Sequence, residues 1–340
     1  MGLFSALYGL GLACRRFSYA HIKKPDKLPA KVISIGNLTL GGTGKTPAVI
    51  SLAREAKKRG FTPCILTRGY KGKAKNICFV SKGNGSLLNA EQAGDEAFLM
   101  AEILRGIPVV KGAKRYEAGI FALKELSSQP SALSLRPSLF ILDDGFQHWR
   151  LHRDIDILLI DAANPFGNEK LFPEGIMREP FSAMKRANII VITKADMAVQ
   201  GRIHAIMDKI KKYNPEAPIF TASHKPTGVA GISGESKGLD SLRNKKIYAF
   251  SGIANPAYFR STLTLSGALI VEFRKFRDHH IYRQKDMDEI KKDASGLEII
   301  TTEKDLVKLK ELRIPENLSA LKIEFSIDDD FYDNIFRRVQ

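Results

Sequence analysis

The chain has 340 residues, 44% of them hydrophobic and 26% charged, and its 53 Lys and Arg against 37 Asp and Glu give a formal charge of +16. Such a length predicts about two domains whose cores need no disulfide or structural metal, and the composition excludes a disordered or fibrous chain. The positive charge favours an anionic partner, but the basic residues are dispersed and no helix-turn-helix, zinc-finger or RNP pattern accompanies them, so nucleic acid is not expected. Cys14, Cys64 and Cys78 are scattered and form no C-x-x-C pair, which argues against both a disulfide framework and a zinc site and for a reducing compartment.

The first fourteen residues, MGLFSALYGLGLAC, carry Ser5 as the one clearly polar side chain and lead into Arg15, Arg16, Lys23, Lys24 and Lys27. This run is about six apolar residues short of a bilayer span. Its positive charge follows the apolar stretch instead of preceding it, unlike a secretory signal, and Ala6 breaks the myristoylation pattern. Residues 1–28 therefore predict an apolar helix with a basic end, which either lies in a membrane interface or packs on its own domain.

From residue 31 onward, Val- and Ile-rich runs alternate with helical patterns, the signature of a parallel sheet covered by helices. Strands are expected at 31–36, 61–67, 76–80, 107–111, 137–142, 155–161 and 188–193, and helices at 45–59, 91–105, 114–127 and 199–213. Residues 224–245, rich in Gly, Ser and Lys and poor in large apolar side chains, read as a linker or hinge. Beyond it, strands are expected at 246–250, 268–273, 297–301 and 320–325, with helices between them and at the C-terminus. The expected fold is α/β: a P-loop NTPase-like domain with a mainly parallel sheet at 29–223, and a smaller α/β domain at 246–340.

The strongest chemical signal is IGNLTLGGTGKTP, residues 35–47, between a strand and a helix. Gly41, Gly42 and Gly44 let the backbone amides around Thr43 turn inward on phosphate oxygens, Lys45 reaches the β and γ phosphates, and Thr46 is placed to ligate Mg²⁺. The first glycine of the general pattern is replaced by Thr39. A phosphate loop needs a carboxylate at the end of a neighbouring apolar strand, and SLFILDDGFQH supplies Asp143 and Asp144, between which the sequence does not choose.

These residues resemble the tetraacyldisaccharide 4'-kinase family of lipid A biosynthesis, P-loop kinases of the cytoplasmic membrane face. The resemblance runs over nearly the whole chain, on GNLTLGGTGKTP, LTRGYKG, GDEAFLMA, DDGFQH, LFPEGIMREP, FSGIANP, FRDHHIY and TTEKD. It implies that the γ-phosphate of ATP goes to the 4'-hydroxyl of an acylated disaccharide phosphate, with Mg²⁺ as cofactor. The expected product is lipid IVA. Location at the inner membrane surface as a peripheral, monotopic protein is implied too, with no obligate protein partner. A lipidic, anionic substrate would account for the apolar N-terminus and the positive charge together.

By the family motifs, Asp95 looks like the general base, partnered by His279 of FRDHH, chosen over its neighbour His280. Tyr70 matches a position near the nucleotide, Arg178 is implied to meet phosphate and Glu179 to meet Mg²⁺. Arg68 is also suited to phosphate. With His279 in the second half of the chain, the site falls in a cleft between domains whose closure gates the reaction. ITKAD, residues 192–196, superficially resembles a GTPase base-recognition motif and is expected at a strand end near the nucleotide base. In TTEKD, Thr302 is expected to cap a helix, with Lys304 either structural or facing the substrate. Two rival readings are a membrane-binding GTPase-like switch and a soluble P-loop kinase of a small metabolite.

Overall fold

In the computed structural model, residues 3–127, 136–231 and 234–339 are described. The chain opens with helix α1 (Leu3–His21), then β1 (Lys31–Asn37), α2 (Lys45–Lys58), β2 (Pro63–Thr67) and β3 (Cys78–Ser81). Two short helices follow, α3 (Ala90–Ala93) and α4 (Asp95–Ile103), then β4 (Val109–Lys111), α5 (Arg115–Ser127), β5 (Leu139–Asp143), β6 (Ile155–Asp161), β7 (Ile189–Thr193) and α6 (Arg202–Tyr213). The remainder comprises β8 (Ile219–Gly231), β9 (Ser236–Gly238), β10 (Lys246–Ser251), α7 (Pro256–Leu265), β11 (Leu269–Lys275), α8 (Gln284–Ala294), β12 (Glu298–Thr302), α9 (Glu303–Leu306), β13 (Leu318–Ile327) and α10 (Asp329–Phe336).

Among the described residues these strands form one thirteen-stranded sheet, ordered β11-β10-β12-β13-β8-β7-β6-β1-β5-β2-β4-β3, with β9 paired to β8. The centre is parallel: β1 lies between β5 and β6, with Ile35 opposite Asp143 on one side and Ile157 on the other. Every residue of β5 and β6 is buried, as continuous apolar runs must be when helices cover both faces. In this arrangement the carboxyl ends of β1 and β5, and so the phosphate loop and the two aspartates, emerge side by side.

The structure departs from the expected organisation in three places. The segment 224–245 is not a coil linker: its first eight residues complete the long strand β8, which pairs parallel with β7 at Ile219–Thr221 and antiparallel with β13 from Ala222 to Gly231. Small and polar residues hid this strand because its ladder partners lie about a hundred positions downstream. Residues 232 and 233 of the expected linker lie outside the described residues. The second departure is α10, which leaves the second body, the region from residue 246 onward, and packs Phe331, Tyr332, Ile335 and Phe336 into the core formed with α2, β1, β5 and β6 of the first. Its Tyr332 hydroxyl lies 2.6 Å from Ser51 Oγ, and Asp333 pairs with Arg59 at 2.7 Å. The third is the expected helix 91–105, which breaks at Gly94, where φ is 89° and a Cβ would stand 2.5 Å from the Tyr70 carbonyl oxygen. That break makes Asp95 the first residue of α4.

Helix α1 docks by one face. Ser5 is buried and donates to the Leu171 carbonyl at 3.0 Å, the Tyr8 hydroxyl donates to the Arg178 carbonyl at 3.0 Å, and Tyr19 meets Trp149 edge-on. The other face shows Phe4, Leu7, Leu10 and Phe17, each at least 57% exposed. Among the described residues no helix is long and apolar enough to cross a membrane.

Candidate active site

The loop that ends β1 and opens α2 turns on Gly44, whose φ of 81° is open to glycine; a Cβ there would fall 2.6 Å from Cε1 of His224, which β8 places against the loop. Burial and the nearby Lys194 push His224 down to about 4, so it stands neutral beside the loop at physiological pH. The Thr193 hydroxyl donates to the Thr43 carbonyl at 3.0 Å, and the Lys194 ammonium donates to the Gly42 carbonyl at 2.8 Å while pairing with Asp161. Carbonyl and amide of one trans peptide point in opposite directions, so the bond to the Thr43 carbonyl turns the Gly44 amide away from Thr193, while the Thr43 amide donates to the Gly41 carbonyl at 3.2 Å and the N-terminus of α2 adds its positive end. ITKAD thus buttresses the phosphate loop from below, and Lys194 also lies 5.2 Å from the Tyr258 ring centre.

Lys45 donates to Asn37 Oδ1 at 3.3 Å and stands 3.6 Å from Asp144. The two aspartates at the end of β5 differ sharply. Asp144 receives both hydrogen bonds of Arg178 Nη1, at 3.0 and 2.9 Å; burial alone would raise it, but Lys45 and Arg178 outweigh that and hold it below the usual carboxylate range. Asp143 is buried, accepts from the Thr67 hydroxyl at 2.9 Å through Oδ2, and leaves Oδ1 buried without a partner. Burial, with Glu96 and Asp144 near, pushes it up to about 7. An orphaned, buried carboxylate oxygen beside a phosphate loop fits a divalent cation. Among the described residues no group of three His, Cys, Asp or Glu side chains could hold a metal alone, so phosphates and water would complete the shell around Thr46 and Asp143. Glu179 accepts from Arg186 at 2.9 Å and from Gln147 at 3.0 Å.

A cleft of about 530 Å³ runs from this loop to the second body, lined among others by Glu96, Asn255, Tyr258 and Lys304. Beside it, His279 Nδ1 lies 3.0 Å from Asp95 Oδ2, joining α4 to the loop after β11. Burial alone would raise Asp95, but the His279 hydrogen bond and the cations Lys308 and Lys304 hold it below its ordinary value. His280 instead pairs with Asp286 at 3.2 Å and stacks on Phe276, so geometry separates the two histidines. The Tyr70 ring sits edge-on to His279, 5.7 Å between centres, which puts it at the acid–imidazole couple. Thr302 caps α9 by accepting from the Asp305 amide, and Lys304 faces Glu96 and Asp278 at 3.8 and 3.6 Å. Arg68 is exposed.

The sequence reading missed Lys308, which reaches Asp95 Oδ2 at 3.1 Å, and the roles of Thr193 and Lys194 under the loop. Lys308 had one local signal, a lysine among the apolar residues of DLVKL.

The sequence model of the family described as tetraacyldisaccharide-1-P 4'-kinase matches residues 1–340. A tetraacyldisaccharide 4'-kinase of Halothermothrix orenii is 37% identical over 350 residues, covering 96% of this chain and 88% of that one. The enzyme of the same name from Syntrophus aciditrophicus is 40% identical over 319 residues, covering 90% and 83%. Among solved structures, LpxK of Aquifex aeolicus in complex with ATP is similar at a TM-score of 0.80 and 33% identity, covering 99% of this chain and 98% of that one.

The Asp143 environment makes a signed prediction. A folded-state value near 7 against 3.8 when unfolded means that the native protein holds a proton the unfolded chain has released, so this group costs stability progressively as pH rises from about 4 to 7. In chemical denaturation without Mg²⁺, Asp143→Asn should be more stable than the native sequence at pH 8, with the gap closing toward pH 4. A gap independent of pH would contradict the environment described.

Proposed function

Because the chain belongs to the tetraacyldisaccharide 4'-kinase family, we propose that its phosphate loop and its Asp95–His279 couple act on the two ends of one phosphoryl transfer. The reaction is transfer of the ATP γ-phosphate to the 4'-hydroxyl of the monophosphorylated lipid A disaccharide, giving lipid IVA. Family membership decides against the switch and small-metabolite readings.

Such a transfer asks for neutralised phosphates, a fixed hydroxyl and a proton acceptor, with little covalent help from the protein. The amides of Gly41, Gly42, Thr43 and Gly44 and the end of α2 receive the phosphates, and Lys45 spans them. Thr46 and Asp143 would hold Mg²⁺, which when bound offsets phosphate charge; Asp144, engaged by Arg178 and Lys45, serves to hold those cations. Arg178 stands ready to exchange its carboxylate for a phosphate oxygen. Asp95 takes the hydroxyl proton and becomes neutral, and His279 on its Oδ2 can accept that proton in turn, leaving an imidazolium paired with the restored carboxylate. The single observation carrying this reading is the 3.0 Å contact between Asp95 and His279 across the two bodies, beside the cleft that begins at the phosphate loop.

The apolar stripe of α1 supplies a surface for the lipid. Phe4, Leu7, Leu10 and Phe17 face outward while Arg15, Arg16, Lys23, Lys24 and Lys27 are exposed beside them, a layout suited to a membrane interface bearing anionic headgroups. Together with the lipid A pathway of the family, this layout supports a peripheral position at the cytoplasmic face of the inner membrane.

With γ-labelled ATP and the monophosphorylated disaccharide lipid, chromatography should show labelled lipid from the native chain, and Lys45→Ala should lower turnover by about 10²-fold or more. An unlabelled lipid fraction from the native chain would contradict the assignment. A Leu7→Glu, Leu10→Glu variant should keep its melting temperature and lose cosedimentation with anionic vesicles; sedimentation equal to the native chain would remove α1 from the membrane contact.

A further inference from the structure

Lys308 follows α9 and is nearly inaccessible, its side chain 5% exposed. One ammonium there serves two carboxylates from the two bodies, Asp95 Oδ2 and Asp305 Oδ1, each at 3.1 Å. Asp305 is fully buried, and its other oxygen accepts from the Gly252 amide at 2.9 Å and the Thr302 hydroxyl at 2.8 Å, so the far end of this bridge is fixed on three sides. The Tyr282 ring packs 5.6 Å from the ammonium, and the His280 carbonyl is 3.5 Å away. Removing a lysine from water costs several kcal/mol unless its protons are satisfied, and here the partners are supplied in full.

Both His279 and Lys308 take Oδ2 of Asp95; among the described residues, Oδ1 has no hydrogen-bond partner. We propose that Lys308 is a positioning residue for phosphoryl transfer: by sharing Oδ2 with His279 it fixes the Asp95 carboxylate so that Oδ1 is presented to the sugar hydroxyl. This inference rests on the reading of Asp95 as proton acceptor. In a loose phosphoryl-transfer transition state the hydroxyl needs little early deprotonation, so an ionised acceptor held in one orientation is worth more than a strongly basic, mobile one. Lys308 also makes the orientation depend on the second body, because Asp95 keeps its rotamer only where α4 and the α9 segment meet.

The groups facing this centre are Asp95 and Glu96 from α4, Tyr70 from the loop after β2, Asp278, His279 and His280 from the loop after β11, and Tyr282. From α8 comes Asp286, paired to His280, and from the α9 segment come Lys304, Asp305 and Lys308. Lys308 is a fixed cation beside Asp95, whose loss lets the carboxyl hold its proton to higher pH. The acid limb of kcat/KM, below which Asp95 is protonated, must then move upward.

The test compares native, Lys308→Met, Lys308→Arg and Asp95→Asn proteins in pH–rate profiles with saturating ATP and the disaccharide lipid. Lys308→Met should lower kcat by about 10- to 100-fold, leave the KM for ATP within about threefold, and raise the acid limb by about one pH unit. Lys308→Arg should restore the limb toward the native position. Since Met leaves Asp305 buried without its cation, Lys308→Met with Asp305→Asn is made alongside, keeping the Gly252 and Thr302 hydrogen bonds, and should show the same displaced limb. A folded variant that loses activity equally at every pH, its acid limb unmoved, would overturn the role of Lys308 while leaving Asp95 in place. Native turnover in Asp95→Asn would overturn the reading of Asp95 and the positioning role with it.

Discussion

A carboxylate leaving water needs compensation, and Asp95 finds it in the other half of the chain. At the first turn of α4 it meets the imidazole of His279 and the ammonium of Lys308, which come from segments that share no secondary structure with it. Burial alone would favour its protonated form, yet these partners hold it ionised, so its charge state depends on how the two bodies meet. The proton acceptor, with its charge and orientation set, exists only where both halves are joined.

Two features make that joining firm. Strand β8 belongs to both ladders, parallel to β7 at one end and antiparallel to β13 at the other, so the sheet passes through the expected boundary without interruption. Helix α10 then returns across it, burying Phe331, Ile335 and Phe336 with Leu52 and Ala56 of α2 in one core. The same strand carries His224 to the phosphate loop, and β7 delivers Thr193 and Lys194 to the carbonyls beneath it. At the opposite edge, the Tyr8 hydroxyl of α1 binds the Arg178 carbonyl, so the helix with the exposed apolar stripe is tied to the segment whose guanidinium pairs with Asp144.

Sequence legibility followed the range of the interactions. The parallel strands β1, β5, β6 and β7, the phosphate loop and the aspartate pair were readable because runs such as FILDD and the GGTGKT spacing encode their geometry within a few residues. Family motifs named Asp95 and His279, and the separate pairings of His279 with Asp95 and of His280 with Asp286 are visible only in the folded chain. Strand β8 was illegible because HKPTGVAG has neither strong β-formers nor clean alternation and owes its shape to β13. Lys308 and Lys194 were illegible for a related reason: a lysine alone gives no sign that it will be buried against a distant carboxylate or a loop carbonyl. The partnership of Glu179, expected to meet Mg²⁺, with Arg186 and Gln147 is likewise one that only the folded chain brings about.

The central claim is that acceptor and phosphate loop, from different segments, converge on one sugar hydroxyl. Crystallography of the protein with Mg²⁺, a non-hydrolysable ATP analogue and the monophosphorylated disaccharide lipid tests it most directly. The account predicts the 4'-oxygen within about 3 Å of Asp95 Oδ1 and about 3–3.5 Å from the γ-phosphorus, in line with the leaving oxygen. A 4'-oxygen bound in line with the γ-phosphorus but farther from Asp95 and His279 than one bridging water can span would contradict it.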